Sequence, residues 1–164
     1  MRTLYLLRHA KSSWKDDSLR DFDRPLRDRG RKAAKRIGGH LANEKLNVPL
    51  MICSPAVRTR ETAELLLKSA DLRVEERFDE RIYEASLGDL LQVVSEIPND
   101  KQVVILIGHN PGFEELLEFL TGERRRMPTA ALAKITFDAE WKNVKPIQGR
   151  LEWFVTPKEL EEED

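Results

Sequence analysis

Two of the three histidines in this 164-residue chain stand directly behind short apolar runs. His9 follows Thr3–Leu7 and Arg8, and His109 follows Gln102–Ile107 and Gly108. A third apolar run, Pro49–Cys53, leads into Ser54-Pro55-Ala56-Val57-Arg58, so an arginine arrives just beyond it. If the three runs are neighbouring strands, their ends offer two imidazoles and several guanidiniums to one edge of a sheet. That combination suits a tetrahedral dianion such as phosphate. Guanidinium forks pair with phosphate oxygens through parallel hydrogen bonds, which position as well as attract. Each residue alone has a plainer reading: Arg8 as an anchor, Arg58 as a surface ion-pair partner beside Arg60, a strand-end histidine as a satisfied polar group. Their shared place at strand ends argues otherwise, because ligands of open parallel sheets bind beyond the carboxyl ends of strands. His40, inside Gly38-Gly39-His40-Leu41, is read as structural.

The elements that must position these residues follow from periodicity. Ala33, Ile37 and Leu41 recur at helical spacing and place a helix over about Asp28–Asn43. Ser54 and Pro55 suit the N-cap and first position of a second helix carrying Arg58, Thr62, Ala63 and Leu66. Val74–Phe78 reads as a short, more exposed strand and about Ser86–Glu96 as a helix. Asn110-Pro111 is expected to cap and open a helix reaching about Leu120. Strands are expected over about Ala131–Phe137 and Leu151–Thr156, joined by a long turn through Lys145-Pro146. Strands alternating with helices predict a single-domain α/β three-layer sandwich, its mainly parallel sheet covered on both faces. The domain is expected to span 1–157, with 158–164 an acidic, frayed tail.

Bulk properties narrow the function classes. Hydrophobic residues make up 40% and charged residues 35%, which fits a globular rather than a disordered chain. The net charge of −1 gives no case for nucleic-acid binding. Residues 1–40 nevertheless carry 12 Lys and Arg against 5 Asp, an excess able to focus an anion on a site. The run Leu4–Leu7 is too short for a signal-peptide core or a membrane span. The lone Cys53 cannot form an internal disulfide, so the expected compartment is the cytoplasm. Cys53 lies five positions before Arg58 and seven before Arg60, which fails the spacing of a cysteine-based phosphatase, and it reads as a small apolar strand residue. The histidines show no H-x-H or H-E-x-x-H pattern, and no G-x-x-x-x-G-K-[ST] is present.

At these same residues the chain resembles the histidine phosphatase superfamily, in particular its small SixA-like phosphohistidine phosphatase branch. Leu4-Tyr5-Leu6-Leu7-Arg8-His9-Ala10-Lys11-Ser12-Ser13-Trp14 is similar to the opening of that branch, where RHA stands for the wider RHG. Asp23-Arg24-Pro25-Leu26 with Gly30 matches its RPL…G element, and Ser54–Ala63 its S-P-x-x-R-x-x-x-T-A stretch. Gly108-His109-Asn110-Pro111-Gly112 and Met127-Pro128-Thr129-Ala130-Ala131 match later signatures. The resemblance implies that His9 is a transiently phosphorylated nucleophile. It further implies that Arg8 and Arg58, joined by Arg24, hold phosphoryl oxygens, and that His109 binds one and stabilises the transition state. No metal or other cofactor is implied. Glu84 is the nearest candidate for the general acid of larger relatives, although an imidazole leaving group departs more easily than an alkoxide and needs such an acid less.

Only 24 residues separate Glu84 from His109, room for one helix and one strand and none for the extra helices that roof the pocket in larger relatives. A shallow site is therefore expected. The substrate implied is a phosphorylated protein, with a phosphorelay histidine domain as one candidate, and the enzyme is expected to be a monomer. Two other readings survive: a phosphomonoesterase or phosphosugar mutase using the same His9 chemistry, and a non-catalytic phospho-binding module. The second would ordinarily lack His9 or one of the arginines, and all are present.

Overall fold

The strand closest to the predicted nucleophile runs through the interior of the sheet. In a computed structural model, which describes residues 1–163, β1 (Arg2–Arg8) runs between β4 (Val103–Gly108) and β5 (Leu132–Phe137). Its Leu4, Leu6 and Leu7 are fully buried and Tyr5 nearly so. Side chains alternate across a strand, so Leu4 and Leu6 enter one core while Tyr5 and Leu7 enter the other. Burying one leucine contributes about 1.5–3 kcal/mol. The end of β1 is thus fixed by packing on two faces and by ladders on two sides.

The sheet order is β3-β2-β4-β1-β5-β6, with β2 at Leu50–Cys53, β3 at Glu75–Phe78 and β6 at Arg150–Val155. Strands β3, β2, β4 and β1 are mutually parallel, β5 is antiparallel to β1, and β6 is antiparallel to β5. Only β5 therefore runs against the rest, as the mainly parallel expectation requires. On one face lie α1 (Asp28–Ala42) and α2 (Val57–Ala70), whose Ile37, Leu41, Ala63 and Leu66 meet Met51 and Ile105. On the other lie α3 (Leu87–Ser95) and α4 (Gly112–Thr121), whose Leu90, Val93, Phe113 and Leu116 meet Ile52, Val104 and Leu106. The result is the three-layer sandwich. All four residues of β3 are exposed, as befits a short edge strand.

Three local expectations need correction. Helix α2 begins at Val57 with Ala56 as its cap residue, and Ser54 does not cap it. The Ser54 hydroxyl instead accepts the Ala56 amide at 3.3 Å and meets a histidine ring across the strand ends. Helix α4 begins at Gly112 after a cis Asn110–Pro111 bond, with no side-chain cap. The Asn110 amide is drawn away to the Met127 carbonyl at 2.9 Å and to Glu114 at 3.1 Å. The segment read as an acidic tail carries a short helix, α5 (Pro157–Glu163), because Leu160 buries itself in the α1 side of the core. Asp164, the last residue of that expected tail, lies outside the described residues.

Candidate active site

Register brings the two imidazoles together. Arg8 pairs with Gly108, so the next residue of each parallel strand, His9 and His109, emerges side by side. Their ring centroids lie 5.2 Å apart at 52°. Cys53 pairs with Ile107, which sets Ser54 level with the end of β4, and the Ser54 amide donates to the Ile107 carbonyl at 3.0 Å. All three strand ends therefore meet at one edge.

The His9 ring is held in a defined tautomer. Its Nδ1 lies 2.7 Å from the Ala10 carbonyl oxygen, which can only accept, so Nδ1 carries the proton and the lone pair belongs to Nε2. Helix α2 latches the same loop, since Thr62 Oγ1 accepts the Ala10 amide at 3.0 Å. Thr62 is one turn beyond Arg58, which places both on one face of α2. Burial lowers the His9 pKa to about 4; the Ala10 hydrogen bond opposes that, while Arg58, Arg8 and Arg24 lower it further. Burial also lowers His109, to about 3, helped by His9, Arg58 and Arg8 and opposed by Asp21. Both rings are thus neutral at physiological pH, and the order of these influences places the arginines within electrostatic reach of the histidines.

The arginines differ in how much of each guanidinium is committed. Arg8 gives Nη1 to the Met127 carbonyl at 3.0 Å. That loop is fixed in turn by Glu114, which accepts the Met127 amide at 2.7 Å. Arg58 gives Nη1 to the Asp21 carbonyl at 2.7 Å and Nη2 to the Asp21 carboxylate at 3.0 Å. Arg24 gives Nε and Nη2 to Asp21 and Nη1 to Ser12 Oγ at 2.6 Å, and its guanidinium carbon sits 3.5 Å from the centre of the exposed Trp14 ring. Arg24 therefore lies in the cluster with most of its donors engaged. The Nε atoms of Arg8 and Arg58 and the Nδ1 of His109 are buried and have no hydrogen-bond partner.

Glu84 is exposed and follows Tyr83, whose ring lies 5.5 Å from that of His109. Its backbone is left-handed, with φ of 53°. Between Glu84 and His109 the chain forms α3 and β4 and no further helix, as the length of the connection predicts. His40 packs edge-on against Trp153. Cys53 is buried, its thiol pushed up to about 12 mainly by desolvation. Among the described residues no group of three or more His, Cys, Asp or Glu side chains could hold a metal ion, and no helix is long and apolar enough to cross a membrane.

Sequence reasoning passed over four residues of this site. Asp21 counted only among the charges of residues 1–40, Ser54 as a helix cap within a matching stretch, Trp14 as the end of another, and Tyr83 carried no reading of its own. Asp21 had one available signal, its position three residues before Arg24, the spacing of a local ion pair. Its link to Arg58 spans 37 residues and leaves no local trace.

Comparison with known proteins agrees with this geometry. An uncharacterized chloroplastic protein of Arabidopsis thaliana is 32% identical over 95% of this chain and 78% of its own length. An uncharacterized protein of Mycobacterium tuberculosis is 29% identical over 93% of this chain and all of its own. Among solved structures, one from Nakamurella multipartitia, provisionally assigned as the phosphohistidine phosphatase SixA, superposes with a TM-score of 0.83. It shows 26% identity over 95% of this chain and 96% of its own. The structure given the same provisional assignment from Agrobacterium tumefaciens reaches 0.81 at 29% identity, covering 95% and 98%. The family model for the histidine phosphatase superfamily (branch 1) matches residues 4–110, the span that contains both imidazoles and all three arginines of the cluster. With fold, strand-end geometry and family model in agreement, the chain belongs to the histidine phosphatase superfamily, branch 1.

Proposed function

We propose that this chain is a metal-independent phosphatase acting on protein phosphohistidine through a phosphorylated His9. The observation that carries the reading is the His9 imidazole with its free Nε2, which lies 5.2 Å from the His109 ring and feels the charges of Arg58, Arg8 and Arg24; Arg8 Nε, Arg58 Nε and His109 Nδ1 are in addition buried and unpartnered. An unsatisfied buried polar group costs about 1–3 kcal/mol, so a ligand is favoured that satisfies such donors on residues that already share a site. A phosphoryl group does so.

In the proposed reaction, Nε2 of His9 attacks phosphorus in line as the bond from phosphorus to the substrate's imidazole nitrogen breaks. The departing nitrogen takes its proton from solvent. Arg8, Arg58 and His109 donate to the equatorial oxygens, and Arg24 adds its charge to the pocket's field. Water then attacks the phosphoryl group on His9, releases inorganic phosphate and restores the neutral ring. The short connection from Glu84 to His109 supports a shallow site suited to a phosphorylated side chain on a protein surface, a phosphorelay histidine domain being the partner that fits this chemistry.

A second reading, a phosphomonoesterase or mutase, draws on Glu84. Glu84 directly follows Tyr83, whose ring lies 5.5 Å from that of His109, so it is a carboxylate the chain brings to this side of the pocket. Incubation with a phosphohistidine peptide and with a phosphomonoester separates the two. His9→Ala is expected to lower turnover of both by at least about a thousandfold. Glu84→Gln is expected to spare phosphohistidine more than ester. Equal loss on both substrates would mean that the leaving-group argument is wrong, and full turnover by His9→Ala would remove His9 as nucleophile.

A further inference from the structure

The anion that Arg24 and Arg58 hold in this structure is the protein's own. Asp21 opens the 3₁₀ turn Asp21–Asp23. Its Oδ1 accepts from Arg24 Nε at 3.1 Å and Nη2 at 3.0 Å, and its Oδ2 accepts from Arg58 Nη2 at 3.0 Å and Tyr83 Oη at 2.7 Å. Its main-chain carbonyl accepts from Arg58 Nη1 at 2.7 Å. A carboxylate presents to a guanidinium the same two-oxygen edge that a phosphate presents. Asp21 thus occupies, from within the chain, the kind of donor fork that the resemblance assigns to substrate.

We propose that Asp21 is a positioning residue and internal counter-ion that holds Arg24 and Arg58 in place and weakens the site's hold on inorganic phosphate, the product. The inference rests on the phosphatase reading and deepens it. Its physical basis is charge balance. Three guanidiniums around one small pocket would bind any phosphate tightly, and release of product would then limit turnover. A fixed carboxylate neutralises one of the three charges and repels a dianion, while its hydrogen bonds keep the donors aimed. Burial tends to raise the carboxyl's pKa, but donation from Tyr83, Arg24 and Arg58 overrides that and holds it at about 2. Asp21 therefore stays charged throughout the working range and cannot serve as a proton donor. Its charge is felt at the site, since it acts on the His109 ring. The side chain is also reachable, being 43% exposed.

The test is binding of inorganic phosphate to the full chain by calorimetry, with phosphate inhibition of phosphohistidine-peptide turnover in parallel. Asp21→Asn keeps shape and an acceptor oxygen and removes the charge; Asp21→Ser is a second variant with the charge gone and little bulk. Removal of a like charge a few ångströms away is expected to tighten phosphate about tenfold, lowering Ki and KM together while kcat falls. A wild-type chain that binds phosphate, with variants that bind it equally or more weakly, overturns the role given to Asp21 and leaves the phosphatase reading standing. If neither wild type nor variants bind phosphate, the phosphatase reading falls and this proposal with it.

Discussion

At the scale of single residues, the chemistry depends on which ring nitrogen carries a proton. His9 is settled by the Ala10 carbonyl. For His109 the deciding partner is Ser54, whose Oγ lies 2.7 Å from Nε2 and already accepts the Ala56 amide. If Ser54 gives its hydroxyl proton to Nε2, then Nδ1 bears the hydrogen and can donate to a phosphoryl oxygen. Nitrogen-15 NMR of the wild-type chain is expected to show His109 protonated at Nδ1. Ser54→Ala should mix the tautomers and lower turnover about 10–100-fold, the range usual for partners that orient a working histidine. A wild-type ring protonated at Nε2 would contradict this assignment. The depressed pKa of His9 has its own signature. Because desolvation, then the arginine field, holds it at about 4 rather than the ordinary 6.5, single-turnover phosphorylation of His9 should persist as pH falls through 6.5 and drop only near 4. A midpoint near 6.5 would show the ring to be solvated.

At the scale of elements, close approaches fix where the loop after His9 lies. Helix α1 reaches that loop at Gly30, where an added Cβ would come within 2.1 Å of the Lys11 carbonyl oxygen. The contact is backbone to backbone, so no side-chain rotation relieves it. Gly30→Ala is expected to destabilise the fold by about 1–3 kcal/mol and to reduce activity by displacing the segment that follows His9. Gly39, on the same helix, is exposed, and a Cβ added there would meet nothing within 4 Å. Gly39→Ala should stabilise by about 1 kcal/mol through helix propensity alone and leave activity unchanged. Paired urea denaturation curves compare the two, and equal shifts would remove the close-approach argument. Cys53 offers a further check at the end of β2. Its buried thiol, raised to about 12, should leave native activity untouched by iodoacetamide at neutral pH.

At the scale of the whole molecule, two neutral buried imidazoles tie stability to pH. Each has a folded pKa below its ordinary 6.5, about 4 for His9 and about 3 for His109. Above 6.5 neither folded nor unfolded chain protonates them, and their contribution is at its full value. As pH falls below 6.5 the unfolded chain takes up protons that the folded chain refuses, so stability declines until the folded pKa values are reached. Thermal melting at pH 7 and pH 5 should show a lower midpoint at pH 5, with a smaller drop in His9→Ala. A drop of the same size in the variant would assign the effect to other groups. The asymmetry of charge along the chain also acts at this scale, because the positive excess of residues 1–40 lies in the segment that forms β1, the Arg24 loop and α1. An excess of that kind can focus an anion on a site without making the whole chain basic.

Local sequence was enough for the layers and for the reacting residues. The continuous apolar runs at Leu4–Leu7 and Val104–Ile107, and the helical spacing of Ala33, Ile37 and Leu41, are consequences of strand and helix geometry that any fold must honour. Arg8, His9 and His109 could be placed at strand ends because each directly follows an apolar run. What only the tertiary structure decided is how those ends line up and what holds the donors there. The register of Arg8 on Gly108 and Cys53 on Ile107 makes neighbours of His9, His109 and Ser54. The path of the loop before α1 carries Asp21 onto Arg58 and beneath Tyr83, partners 37 and 62 residues away. Periodicity reports which face of an element is apolar; it has no information about where an irregular loop crosses the sheet. The internal anion of this site is therefore a property of the folded chain, set by side chains that meet only once every layer is in place.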